Sequence, residues 1–254
     1  ILDINYYVPS HKITNDFLSK KFPKWTSEKI FNKTGISERG ESSENTTAGD
    51  LAISAAKKLF ESLQIEKKLI DMLIFVTQSP NQCLPSTSCE IHSKLGLSEK
   101  CGAFDLNQGC TGYIYGLNLA SSLIDSGSAK YVLLLTGDTY TKLLDKEDPS
   151  VNPIFGDGAS ASLIGPDLNN SEKSISKFEF GTDGSKANFL NCDFGGLRKR
   201  QEKWNKLYMN GPEIMIFTLR VIPRAIREYL VKYKLKLEEI DLFVLHQANT
   251  VSYT

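Results

Sequence analysis

Apolar and polar positions follow two rhythms along this chain. Between residues 47 and 64 the residues Leu51, Ala55, Leu59 and Leu63 recur every fourth position, which predicts an amphipathic helix. Residues 86–95 continue that rhythm until Gly96. Ile114, Leu117, Ala120, Leu123 and Ile124 carry it again until Gly127. Between these helices lie short apolar runs at 71–77, 103–106, 130–136 and 160–164. The run at 130–136 is almost continuously apolar, as in strands buried on both faces of a parallel sheet, and such a sheet needs helices to cover it. The class expected is therefore α/β. The opening residues 1–12 read as a strand and a loop, and 14–36 as short helices capped by Thr14 or Asn15 and closed near Gly35.

The pattern repeats. Residues 55–76 and 225–246 share an amphipathic helix, a short charged link, an Ile-Asp pair and an apolar run. Each residue of the second copy stands 170 positions after its counterpart, 225 against 55 and 240 against 70. A duplicated α/β unit explains this economically, with one half over 1–165, and with 166–254 as a polar connection plus the first part of a second half. The second copy ends soon after its Ile-Asp pair, so the sequence is expected to stop inside that half, and its opening Ile1 suggests residues upstream. The basic run Arg198-Lys199-Arg200 falls in the connection and reads as a solvated face.

Charge narrows the function. Lysine plus arginine equals aspartate plus glutamate at 30 each, so no net field draws the chain to nucleic acid or an anionic membrane. Its apolar runs are far too short to span a bilayer, and a cytoplasmic protein is expected. The five cysteines have no CxxC spacing and read as reduced thiols. With three histidines and no ligand spacing, no metal site is expected.

Candidate chemistry begins at Cys110, which stands where the strand 103–106 turns through Asn107-Gln108-Gly109 into a helix. Free cysteine commonly only fills space. Here, however, the thiol is expected at the carboxyl end of a strand, facing the positive end of a helix, which would favour the thiolate. Gly109 and Gly112 are expected to leave room for a substrate beside the sulfur. His246 ends the apolar run 240–245, expected as a strand, and the duplication places it in the equivalent layer of the other half. Gln247-Ala248-Asn249 follow it, residues suited to hydrogen bonding or close approach. The segment Phe155-Gly156-Asp157-Gly158-Ala159, taken alone, reads as a turn.

Taken together, the residues around Cys110 (107–112), FGDGA (155–159) and HQAN (246–249) resemble the β-ketoacyl-acyl-carrier-protein synthase III family of the thiolase superfamily. TGISER (34–39) and GTDGS (181–185) fit the same pattern, and the resemblance runs the length of the chain. It implies two duplicated α/β halves in a layered αβαβα sandwich, usually a homodimer. It implies that Cys110 takes an acyl group from a thioester, and that malonyl carried on acyl carrier protein is then decarboxylated and condensed onto it. His246 would stabilise the enolate oxygen, with Asn249 and Gly211 in substrate-binding positions. No tightly bound cofactor is implied, since coenzyme A or carrier-protein thioesters are substrates. The family's partner asparagine, in a Gly-Asn-Thr motif, would fall beyond Thr254.

Several positions depart from the family pattern. Lys29 stands where relatives stack a tryptophan on adenine. Lys33 and Pro149 replace nucleotide-gripping arginines, and Pro212 replaces the asparagine after Gly211. Val251 replaces an arginine where carrier protein docks, and Leu84 stands where the acyl pocket often has an aromatic. These departures point to a carrier-delivered primer, and to a secondary-metabolic or surface-polysaccharide role over fatty-acid initiation. Two other readings remain open: an acyltransferase acting on an amine or alcohol without condensation, and a non-catalytic thiolase-fold partner subunit.

Overall fold

The computed structural model describes residues 1–166, 175, 177–193 and 206–247. In chain order the elements are β1 (Asp3–Tyr7), β2 (Lys12–Thr14), α1 (Asn15–Lys21), α2 (Ser27–Thr34), β3 (Glu38–Gly40), α3 (Ala48–Leu63), β4 (Met72–Val76) and α4 (Thr87–Leu95). They continue with β5 (Gly102–Leu106), α5 (Gly112–Asp125), β6 (Val132–Thr139), β7 (Asp157–Ile164), β8 (Leu190–Asn191), β9 (Tyr208–Met209) and α6 (Gly211–Tyr233). The chain gathers into two units, 1–13 with 38–142 and 156–176, and 14–37 with 143–155 and 177–254.

The first unit is built on a five-stranded sheet in the order β1-β7-β6-β4-β5. Strand β4 runs parallel to both β5 and β6, whereas β7 is antiparallel to β6 and β1. The sheet is therefore mixed, because the loop after β6 returns the chain as a hairpin-like partner without a crossover helix. Side chains alternate across the sheet. Leu73, Phe75, Leu133 and Leu135 join a buried core with Leu51, Ala55, Ala56 and Leu59 of α3 and with Ile91 and Leu95 of α4.

Helix α5 covers the other face. A methyl group at Gly112 would strike Val76, and one at Gly116 would lie 2.5 Å from Leu134 Cδ1, so glycine one turn apart lets the helix axis come close to β4 and β6. Gly112 thus serves packing against the sheet and not substrate access. Helix α3 begins with a capping box, in which Thr47 and Asp50 satisfy each other's backbone N–H groups, one residue from the start expected from its periodicity.

FGDGA is not a turn. Asp157, 4% exposed, opens β7, and its carboxylate accepts from Ser42 N (2.8 Å), Thr141 N (2.9 Å), Thr141 Oγ1 (2.7 Å) and the Ser42 hydroxyl. A methyl at Gly156 would lie 2.9 Å from Arg39 Cβ, so this glycine lets TGISER and FGDGA touch. Arg39 is buried, and desolvation lowers its pKa to about 10. Both motifs therefore serve the scaffold. Asp157→Ala should lower unfolding stability by about 2–4 kcal/mol, because it orphans several buried donors at once. An unchanged urea midpoint would contradict that role.

In the second unit, Thr14 and Thr26 cap α1 and α2, and Asn15 Nδ2 donates to the Ile36 carbonyl (2.9 Å). The duplication is visible in the backbone. Gln64 closes α3 at φ 50° and Lys234 closes α6 at φ 55°, both left-handed, and each donates its N–H to a carbonyl four residues back. A single 3-10 turn follows each helix, Lys67–Leu69 and Leu237–Glu239, and the next residues, Ile70 and Ile240, are both extended. There the copies diverge. Residues 240–247 form no ladder among the described residues, and Leu242 and Val244 are 75% and 84% exposed, whereas β4 is buried between two neighbours. The strand expected at 240–245 is thus not formed among the described residues. The run Arg198-Lys199-Arg200 lies outside the described residues.

Candidate active site

Cys110 is exposed at the joint between β5 and α5, one residue before the capping position Thr111. The joint is tight: Gln108 N bonds the Leu106 carbonyl (3.0 Å) and Gly112 N the Gly109 carbonyl (2.8 Å). Upstream, the β5 carboxylate Asp105 accepts from Thr87 N (2.7 Å) and Ser88 N (2.8 Å), which ties the start of α4 to the strand carrying the cysteine.

The charge balance at the thiol differs from the sequence expectation. Desolvation pushes the Cys110 pKa up, its own backbone N–H pulls it down, and the carboxylate of Asp138 pushes it up again, for a net rise. The resting group is the thiol. Desolvation of the sulfur outweighs helix-end polarity, and the Asp138 carboxylate adds to it.

Asp138 was not singled out by its sequence, although an acid ending a continuous apolar strand, Leu133-Leu134-Leu135-Thr136-Gly137-Asp138, is a recognisable signal. Its Oδ1 accepts from Thr77 Oγ1 (3.0 Å), Gln78 N (2.7 Å), Ser79 N (3.0 Å) and Ser79 Oγ (2.9 Å), which fastens the loop after β4 to the end of β6. Burial raises its own pKa against the pull of these donors. Asp138→Asn keeps an acceptor for the loop and removes the charge. The apparent thiol pKa of Cys110 should then fall and its alkylation by iodoacetamide at neutral pH should quicken. A slower reaction with unchanged pH dependence would show that Asp138 does not act through the thiol.

His246 lies in the second unit with an exposed ring, and partial desolvation lowers its pKa below the ordinary imidazole value. Gly211 opens α6 after the cap Asn210, whose side chain accepts from Glu213 N. A methyl there would lie an ordinary 3.8 Å from Met209 Cε, so packing places no demand for glycine at that position. Asn249 and Val251 lie outside the described residues. Leu84 precedes a cis proline and is 86% exposed.

Trp25 is a further residue that sequence reasoning passed over, because it stands in a polar segment without periodicity. The ammonium groups of Lys29 and Lys33 lie 5.2 Å and 5.0 Å from its ring centroid. Two lysines that occupy nucleotide-binding positions in the sequence resemblance therefore share one indole.

Residues 104–184 match the family described as 3-oxoacyl-[acyl-carrier-protein] synthase III. A β-ketoacyl-[acyl-carrier-protein] synthase III of Natranaerobius thermophilus is 38% identical, over 98% of this chain and 77% of that protein. The chain belongs to this family. A crystal structure of a 3-oxoacyl-(acyl-carrier-protein) synthase III superposes with TM-score 0.94 at 42% identity, covering 99% of this chain and 79% of the other. The synthase from Thermus thermophilus gives 0.87 at 33%, covering 98% and 77%. The fold is thus thiolase-like, and the family is one of acyl-transferring, condensing enzymes that take thioesters. None of the helices among the described residues is long and apolar enough to cross a membrane.

Proposed function

We propose that the protein is a cytoplasmic condensing enzyme. In this reading Cys110 Sγ attacks an acyl thioester, the carrier thiol leaves with the proton, and the acyl group stays on sulfur. Malonyl-acyl carrier protein then loses carbon dioxide. The resulting enolate carbon attacks the acyl-cysteine, which releases 3-oxoacyl-carrier protein and the Cys110 thiolate, and a proton from solvent restores the thiol. A neutral His246 donates a hydrogen bond to the enolate oxygen, and the backbone N–H of Cys110, which lies against Sγ, becomes a donor to the thioester oxyanion. The observation that carries this reading is an exposed thiol at the carboxyl end of a parallel strand, in a chain so similar to whole synthases. Asn249 and Gly211 are assigned to substrate binding, and the halves to 1–165 and 166–254. A homodimer is supported by β5, which has a strand partner on one edge only among the described residues. The test supplies an acetyl thioester and malonyl-carrier protein. Mass spectrometry of the carrier should show acetoacetyl in place of malonyl, and a carrier that stays malonylated refutes condensation.

Carrier protein is the expected primer source. Lys29, Lys33, Pro149 and Pro212 replace groups that grip coenzyme A in relatives, each loss worth roughly tenfold or more in affinity. The ammonium groups of Lys29 and Lys33, both near the Trp25 ring, leave some attraction for a nucleotide phosphate. Acetyl-carrier protein should therefore exceed acetyl-coenzyme A in kcat/KM for Cys110 acylation by about 10- to 100-fold. Equal values would show that the substitutions do not matter.

A further inference from the structure

Gln78 leaves the end of β4 and packs over Gly109, the residue before Cys110. Its backbone N–H is held by Asp138 Oδ1 (2.7 Å), and its side-chain oxygen accepts from the Tyr140 hydroxyl (2.5 Å). The carboxamide fills the space over Gly109: a methyl there would lie 2.5 Å from Oε1, 3.2 Å from Cδ and 3.6 Å from Nε2. Gly109 precedes Cys110 directly, so the absent side chain makes room for the Gln78 carboxamide one residue before the nucleophile, and not for substrate as expected from the sequence. With Oε1 occupied by Tyr140, the amide nitrogen of Gln78 makes no hydrogen bond among the described residues, and the residue is exposed.

We propose that Gln78, oriented by Tyr140, is a specificity-determining residue that selects short acyl groups bearing a hydrogen-bond acceptor near the thioester. The inference rests on Cys110 being the acylated residue and concerns which acyl group it carries. An acyl chain extending from sulfur past Gly109 displaces water from the Gln78 amide. An alkyl chain leaves those two N–H donors unmatched, whereas a hydroxyl or carbonyl oxygen replaces the lost water. Sites built around a fixed donor reject the analogue lacking the acceptor far more strongly than apolar pockets distinguish a methyl. Tyr140 matters because it occupies the oxygen, which leaves the nitrogen and its donors as the part of the amide available to an acyl group.

Two acyl groups of nearly equal shape test the idea, 3-hydroxybutyryl and 3-methylbutyryl, which differ by hydroxyl against methyl. Each is presented as its N-acetylcysteamine thioester, so that neither carrier protein nor nucleotide contributes, and Cys110 acylation is timed by intact-protein mass spectrometry. The wild-type chain should favour 3-hydroxybutyryl by about tenfold or more. Gln78→Leu should abolish or invert that ratio. Tyr140→Phe, which removes one hydroxyl and keeps the ring, should reduce it while Gln78 is intact. A wild-type ratio near one, or a ratio unchanged in both variants, overturns the role of Gln78 and leaves Cys110 as the acyl carrier. No adduct from these donors or from the acetyl thioester overturns the acyl-enzyme itself.

Discussion

Cys110→Ser should form no acyl adduct under conditions that fully acylate the wild-type chain. The effect is the largest expected of any substitution here, because in the proposed mechanism the Cys110 sulfur is the nucleophile, and a serine hydroxyl with no adjacent base remains un-ionised at neutral pH. Four other thiols provide the control. Cys101 is buried, and burial with the neighbouring Asp71 raises its pKa to about 11, so it should be inert. Cys83 and Cys89 are exposed and Cys192 partly so, which makes all three reachable by reagents without giving any of them a strand-to-helix setting. Intact-mass analysis should therefore show one acyl group per chain, lost in the variant. Equal labelling of Cys83, Cys89 or Cys192 would remove Cys110 from its role. The raised thiol pKa adds a signature in pH: acylation should quicken as pH rises through 7 and 8, since the thiol is still largely protonated there. A rate already flat at pH 7 would mean that the thiolate is preformed.

Periodicity located most of the first unit because its elements are governed by local rules. Thr47 and Gly96 set helix ends through a cap and left-handed backbone, and these act over four residues. The 170-residue repeat survived for the same reason, down to a left-handed Gln64 and its counterpart Lys234. What the sequence concealed depends on distant partners. FGDGA read as a turn because its glycines and aspartate suit one, yet Ser42 and Thr141 draw Asp157 into a strand. Asp138 and Gln78 stand 60 residues apart, and their meeting follows from the parallel pairing of β4 with β6. Desolvation of the sulfur, with a smaller push from Asp138, reversed the expected thiol charge. A glycine next to a nucleophile reads as open space until the group filling it is known, and Gln78 fills it.

The second large effect is expected at His246. Its depressed pKa keeps the imidazole neutral across the physiological range, which suits a hydrogen-bond donor to an enolate and leaves no imidazolium to be discharged first. In the proposed mechanism decarboxylation needs that donor, whereas acyl transfer to Cys110 does not. His246→Ala should accordingly still accumulate acyl-enzyme while carbon dioxide release from malonyl-carrier protein falls about 10²–10³-fold, the usual consequence of removing one oxyanion donor. The pH profile follows from the sign of the shift. A lowered pKa means that protonation begins only below the ordinary imidazole value of about 6.5, so the acid limb of decarboxylation in the wild-type chain should lie below that pH and should vanish in the alanine variant. His246→Gln, which keeps an N–H donor and cannot titrate, should retain more activity than alanine and should also lose the limb. Radiolabelled malonyl-carrier protein, followed with and without prior acylation, separates the two half-reactions. Loss of acylation with decarboxylation preserved would exchange the roles assigned to the two residues.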